Sequence, residues 1–122
     1  MVKLNIVSIR GAITLNKNTE EEILDSTEKL LIEIEEKNKI NREEVIAILF
    51  SATKDLNAAY PARAARNLGY TNTSLMCFNE MDVIGGLQKC IRVMVLYNSN
   101  LKQEEVRHVY QGEAKALRPD LN

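Results

Sequence analysis

The sequence predicts an α+β domain in which a mixed β-sheet packs against one long and one short helix, and three observations carry that reading. Apolar, largely β-branched runs at 3–10, 45–53, 73–79 and 90–98 are strand-like. The stretch 19–38 repeats its apolar residues at helical spacing. A shorter stretch, 60–69, begins with Pro61 near its start and closes on Gly69, the asymmetry expected of a short helix.

Taken in order, residues 3–10 alternate loosely and predict a first strand ending at Gly11. Thr19 followed by Glu22 forms a capping-box pattern, and Glu20, Glu21 and Glu22 suit the positive end of a helix dipole. Ile23, Leu24, Thr27, Leu30, Leu31 and Ile34 then define an amphipathic helix to about Lys37. Asn41 with Glu44 predicts a second cap and one helical turn. VIAILFSAT (45–53) is almost continuously apolar, which predicts a strand buried on both faces. Gly85-Gly86 predicts a break after the strand at 73–79. CIRVMVLYN (90–98) is a further strand, Lys102 to Glu105 a turn of helix, and RHVY (107–110) a last short strand. The order in which these strands pair does not follow from the pattern.

The chain of 122 residues suits one domain, 1–122, whose modest core leaves room for added burial between subunits. No apolar run approaches the roughly 20 residues that span a bilayer. The start, MVKLNIVSIRGAIT, runs into Arg10 without a signal-peptide h-region, so the expectation is a soluble, cytoplasmic protein with no membrane partner. Net charge is −1, yet residues 19–38 carry −6 and the remainder +5. The basic remainder has no Lys/Arg run and few aromatics for stacking, which argues against nucleic acid. Cys77 and Cys90 lack a metal-ligand pattern, and His108 is the only histidine, so neither a metal site nor a Ser-His-Asp triad is expected. No phosphate loop or nucleophile elbow is present.

The residues that invite a chemical reading are arginines. In a strand at 90–98, Cys90, Arg92, Met94 and Leu96 share one face and Ile91, Val93 and Val95 the other. A guanidinium cannot shed its charge, so Arg92 is either a structural ion-pair partner or the ligand of an anion. Arg10 poses the same alternative at the end of the first strand. Arg63 and Arg66 lie one helical turn apart. Each alone reads as a surface charge; together the four can converge on a ligand with more than one carboxylate. Glu80 is either a functional acceptor at a strand end or a loop carboxylate. Tyr110 can donate its hydroxyl to an anion or simply pack, and His108 reads as a packing or surface residue.

Four stretches carry a resemblance: IRGAITLNKNTEEEI (9–23), SATKDLNAAYPARAAR (51–66), EMDVIGGLQKCIRVM (80–94), and RHVY with LRPDL (107–110, 117–121). In that order they closely resemble the small monofunctional chorismate mutases of the trimeric bacterial class. The resemblance implies a mixed sheet flanked by helices, assembled as a homotrimer with a pseudo-barrel core and active sites between neighbouring subunits. It implies the unimolecular pericyclic rearrangement of chorismate to prephenate, a step of aromatic amino acid biosynthesis, with no cofactor, metal or nucleophile. By matching position, Arg92 resembles the residue beside the ether oxygen of the breaking bond. Glu80 resembles the acceptor for the ring hydroxyl, and Arg10 and Tyr110 the ligands of the side-chain carboxylate. Tyr60, Arg63, Arg66, Leu75, Met76, Cys77, Phe78, Asn79, Leu117 and Arg118 fall at substrate-binding or rim positions. Tyr60 stands where the family has phenylalanine, Arg63 where it has lysine, and Met76 where it has a small hydroxyl residue; Phe78-Asn79 is also a departure. Two other readings are weighed beside it: a trimeric imine or enamine deaminase, which lacks the 80–92 block, and a non-catalytic metabolite-binding regulator.

Overall fold

A computed structural model describes residues 5–118. Five strands form one mixed sheet: β1 (Ile6–Thr14), β2 (Val45–Ala52), β3 (Ser74–Asn79), β4 (Cys90–Asn98) and β5 (Val109–Gln111). Their order is β3-β2-β4-β1-β5. β4 runs antiparallel to both β1 and β2, while β2–β3 and β1–β5 pair in parallel. Two helices, α1 (Glu20–Asn38) and α2 (Ala62–Leu68), accompany the sheet, with 3-10 turns at Arg42–Glu44, Gln103–Glu105 and Gly112–Leu117. Among the described residues no helix is long and apolar enough to cross a membrane.

Helix α1 forms as its sequence dictates. Thr19 Oγ1 accepts the Glu22 N–H at 3.1 Å, while the Glu22 carboxylate turns away to the Asn16 N–H at 2.6 Å, so half of the capping box is made. Ile23, Leu30, Leu31 and Ile34 share one buried core with Val7, Ile9, Ile13, Ile91, Val93 and Val95, and buried Thr27 donates its hydroxyl to the Ile23 carbonyl at 2.7 Å. Lys39 ends the helix in a left-handed conformation. Pro61 and Gly69 (φ 108°) bound α2 as expected. Arg42 joins the end of α1 to the segment after α2: it pairs with Glu35 at 2.6 Å, donates to the Leu68 carbonyl and lies over the Tyr70 ring.

Three expectations are corrected. The first strand does not end at Gly11 but continues to Thr14, pairing with β4 throughout. Residues 3 and 4 lie outside the described residues, as does the end of the 117–121 stretch. Gly11 is there for closeness: a Cβ would stand 2.8 Å from Ile34 Cδ1, 3.2 Å from Leu30 Cδ1 and 3.1 Å from the Val109 carbonyl. Second, β2 is not buried on both faces. Val45, Ile48 and Phe50 enter the core, but Ile46 is exposed and Leu49 and Ser51 are half-exposed on a face that no helix covers. Third, the last strand is shifted to 109–111, and a 3-10 turn follows it.

The close approach at Gly11 makes a prediction. Gly11→Ala should lower stability by about 1–3 kcal/mol, because two side chains can yield but the Val109 carbonyl cannot without loosening β5. Urea unfolding checks it; an unchanged midpoint would mean that the helix and β5 relax freely.

Candidate functional site

The uncovered face of the sheet is organised by register. One row crosses all five strands: Phe78 on β3 stands beside Ser51 on β2, then Arg92 on β4, Ala12 on β1 and Tyr110 on β5. The row two residues away contains Met76, Leu49, Met94 and Arg10. Between the rows lies a hollow of about 310 Å³, lined by Arg10, Leu49, Ser51, Phe78, Glu80, Arg92, Met94 and Tyr110. Period-two alternation therefore places Arg92, Arg10 and Tyr110 around one space, and Glu80, just beyond β3, joins them.

Arg92 is an ion-pair partner, as one of its two sequence readings has it, and stays partly open to solvent. Its Nε pairs with Glu80 Oε2 at 2.8 Å, and its side chain still keeps 47% of its surface in solvent. Glu80 lies just beyond β3, with its N–H donated to the Ala52 carbonyl. Ser51 Oγ donates to the same Oε2 at 3.0 Å, so the carboxylate is held by two groups of adjacent strands. Such a pair is preorganised: the cation's direction is set before any ligand arrives. Ser51 was missed by reasoning from sequence. Its signal was a hydroxyl interrupting the apolar run of β2 on the Arg92 face.

The base of β4 is fastened in turn. Asp55 accepts the Lys89 N–H with both oxygens, at 3.0 and 3.1 Å, and Thr53 Oγ1 accepts the Cys90 N–H at 3.0 Å while donating to Asp55. Burial tends to raise the Asp55 carboxyl, but the bonds from Thr53 and the Lys89 backbone outweigh it and leave it below its usual range. Two residues on, Arg92 inherits this registration.

Tyr110 is buried, packing with Ala12, Cys90 and Ala114, and Leu117 lies against that cluster. The final 3-10 turn thus covers the β1/β5 end of the otherwise open face. Burial pushes the Cys90 thiol up, which suits an inert packing role; Cys77 is a free, half-buried thiol. Arg118 acts on His108 through its charge.

The remaining expected site residues are not brought to this hollow within one chain. Tyr60, Arg63, Cys77 and Asn79 line a second hollow of about 570 Å³, which shares Phe78 with the first. Arg66 and Leu75 line a third, with Tyr70, Thr71 and Thr73. Met76 is exposed on the sheet face. The four arginines therefore do not converge in a single copy: Arg10 and Arg92 do, whereas Arg63 pairs with Glu20 at 3.0 Å and Arg66 lies by the edge strand β3. Among the described residues no group of three or more His, Cys, Asp or Glu is arranged to hold a metal ion.

The family profile described as chorismate mutase type I matches residues 6–121. This chain belongs to that family. A chorismate mutase AroH of Bacillus subtilis (strain 168) is 48% identical over 118 residues, covering 96% of this chain and 93% of the relative. The chorismate mutase AroH of Thermus thermophilus is 46% identical, covering 93% of each. A solved structure of a chorismate mutase from Clostridium thermocellum superposes with a TM-score of 0.87 at 51% identity, over 89% of this chain and 97% of that one. The α+β mixed-sheet fold is thus that of a chorismate mutase.

Proposed function

We propose that this chain, as a single domain, rearranges chorismate to prephenate in the cytoplasm as a homotrimer, with each active site built from two neighbouring copies. The single observation that carries the catalytic reading is the Arg92–Glu80 pair, held ready in an open hollow beside Arg10 and Tyr110. Chorismate is a dianion whose rearrangement is unimolecular. Help therefore comes from selecting the compact conformer that brings the two reacting carbons together. It also comes from stabilising negative charge on the ether oxygen as the C–O bond lengthens. A guanidinium already oriented by Glu80 reorganises little as that charge grows. Glu80 accepts from the ring hydroxyl and complements positive character on the ring. Arg10 and Tyr110 bind the side-chain carboxylate. No group of the chain needs to give or take a proton.

What one copy leaves open supports this assembly. The hollow's face carries exposed Ile6, Met76 and Phe78, and among the described residues β3 is an edge of the sheet. Apolar surface of this kind marks an interaction site. Tyr60, Arg63, Arg66, Leu75, Met76, Cys77 and Asn79 on this edge complete the hollow of the next copy, while Phe78, Leu117 and Arg118 rim the copy's own. Loss of chorismate absorbance on adding the purified protein tests the activity. Ammonia release from enamino acids with chorismate untouched would instead establish the deaminase reading.

A further inference from the structure

β1 lies between β4 and β5, but β5 is short: its parallel ladder begins at Gly11↔Val109 and runs to Ile13↔Gln111. Upstream of Gly11 the β5-side edge of β1 is satisfied by side chains. Gln103 accepts the Ser8 N–H at 2.8 Å and donates to the Ser8 carbonyl at 2.7 Å. At Arg10 the N–H is met by the imidazole of His108, with Nδ1 accepting at 2.9 Å. The imidazole is itself anchored. Buried Asn38, at the end of α1, donates to the Arg107 carbonyl at 2.9 Å and accepts the Arg107 N–H at 2.8 Å. A continuous series of bonds thus runs from the core helix through residue 107 to the backbone of Arg10.

We propose that His108 is a positioning residue for Arg10: its neutral, Nε2-protonated imidazole stands in for a strand partner and fixes the backbone from which Arg10 reaches the hollow. This inference rests on the reading of Arg10 as a ligand of a substrate carboxylate. An imidazolium has only donors, so protonation at Nδ1 would set two N–H groups against each other. Burial foremost, then the charges of Arg10 on β1 and Arg118 beyond the last 3-10 turn, holds the imidazole below its usual 6.5. The neutral acceptor is therefore the form present at neutral pH.

The test uses the assembled enzyme and chorismate. His108→Leu removes the acceptor, and KM should rise about three- to tenfold with kcat changed less than about twofold, the range carried by one neutral hydrogen bond. His108→Asn, whose Oδ1 can occupy the place of Nδ1, should restore KM. In the parent enzyme KM should rise by the same factor as pH falls below 6.5 through the lowered pKa, and this limb should be flat in His108→Asn. Because the chain has one histidine, its imidazole nitrogens give a single set of long-range ¹⁵N NMR signals. These should report the Nε2–H tautomer at neutral pH even if His108→Leu fails to fold. An Nδ1–H tautomer, or an unchanged KM and pH limb in folded His108→Leu, overturns the proposal. Arg10→Ala separates the two readings: if it leaves KM unchanged, the role given to Arg10 fails, whatever the tautomer.

Discussion

Replacing Arg92 by lysine should lower kcat by about 10²- to 10³-fold while KM for chorismate changes by less than about tenfold. The reason lies in how the guanidinium is divided. Its Nε is engaged by Glu80 at 2.8 Å, and its two terminal nitrogens lie in the same rigid plane, a fork suited to a second acceptor. Lysine has one nitrogen for both tasks. Glu80, already fixed by Ser51, attracts that ammonium towards β3 and away from the ether oxygen. Attraction between the enzyme and a dianion survives, because the charge survives, so ground-state binding is largely kept. What is lost is a donor aimed at charge that develops only in the transition state. Steady-state turnover followed by chorismate absorbance decides it. A lysine variant as fast as the parent would remove Arg92 from the reacting centre and leave it a structural partner of Glu80.

Much of this arrangement was legible in the sequence, for identifiable reasons. Thr19 with three following glutamates, and Pro61 with Gly69, mark helix ends by local chemistry, and the structure keeps both. The alternation in 90–98 placed Arg92, Met94 and Leu96 on one face, where they are. Strand order was not legible, because pairing in a mixed sheet depends on crossovers between distant segments. Gly11 misled for a related cause: a glycine inside a strand signals a break locally, and only the packing of Ile34 and Leu30 shows why it is small. The continuous apolar run of β2 likewise predicted burial on both faces, whereas one copy covers only one. That discrepancy supports the proposed assembly, since residues composed for burial are left exposed in one copy. His108 reads from sequence as a packing or surface residue because a lone histidine carries no spacing signal; its bond to the Arg10 N–H across the strand shows only in the fold.

Mixing two inactive variants should restore activity. Arg92→Ala and Arg66→Ala should each lose about a hundredfold or more in kcat/KM, the first at the reacting oxygen and the second at a carboxylate. Arg66 is the better partner for this experiment than Arg63, which is already paired with Glu20 in its own copy. Arg66 lies beside Leu75 by the edge strand, away from the hollow of Arg10 and Arg92, and has no ion-pair partner among the described residues. If neighbouring copies close into a ring by head-to-tail contacts, every site takes one half from each of two chains. Equal amounts of the two variants, unfolded together and refolded, then assort at random. A site is intact when its first half comes from an Arg66→Ala chain and its second from an Arg92→Ala chain, each with a chance of one half. About a quarter of the parent activity should return, although no chain in the mixture is active alone. Activity no greater than the mean of the two separate variants would place the whole site within one chain, and the exposed face bearing Ile6, Met76 and Phe78 would then need another occupant.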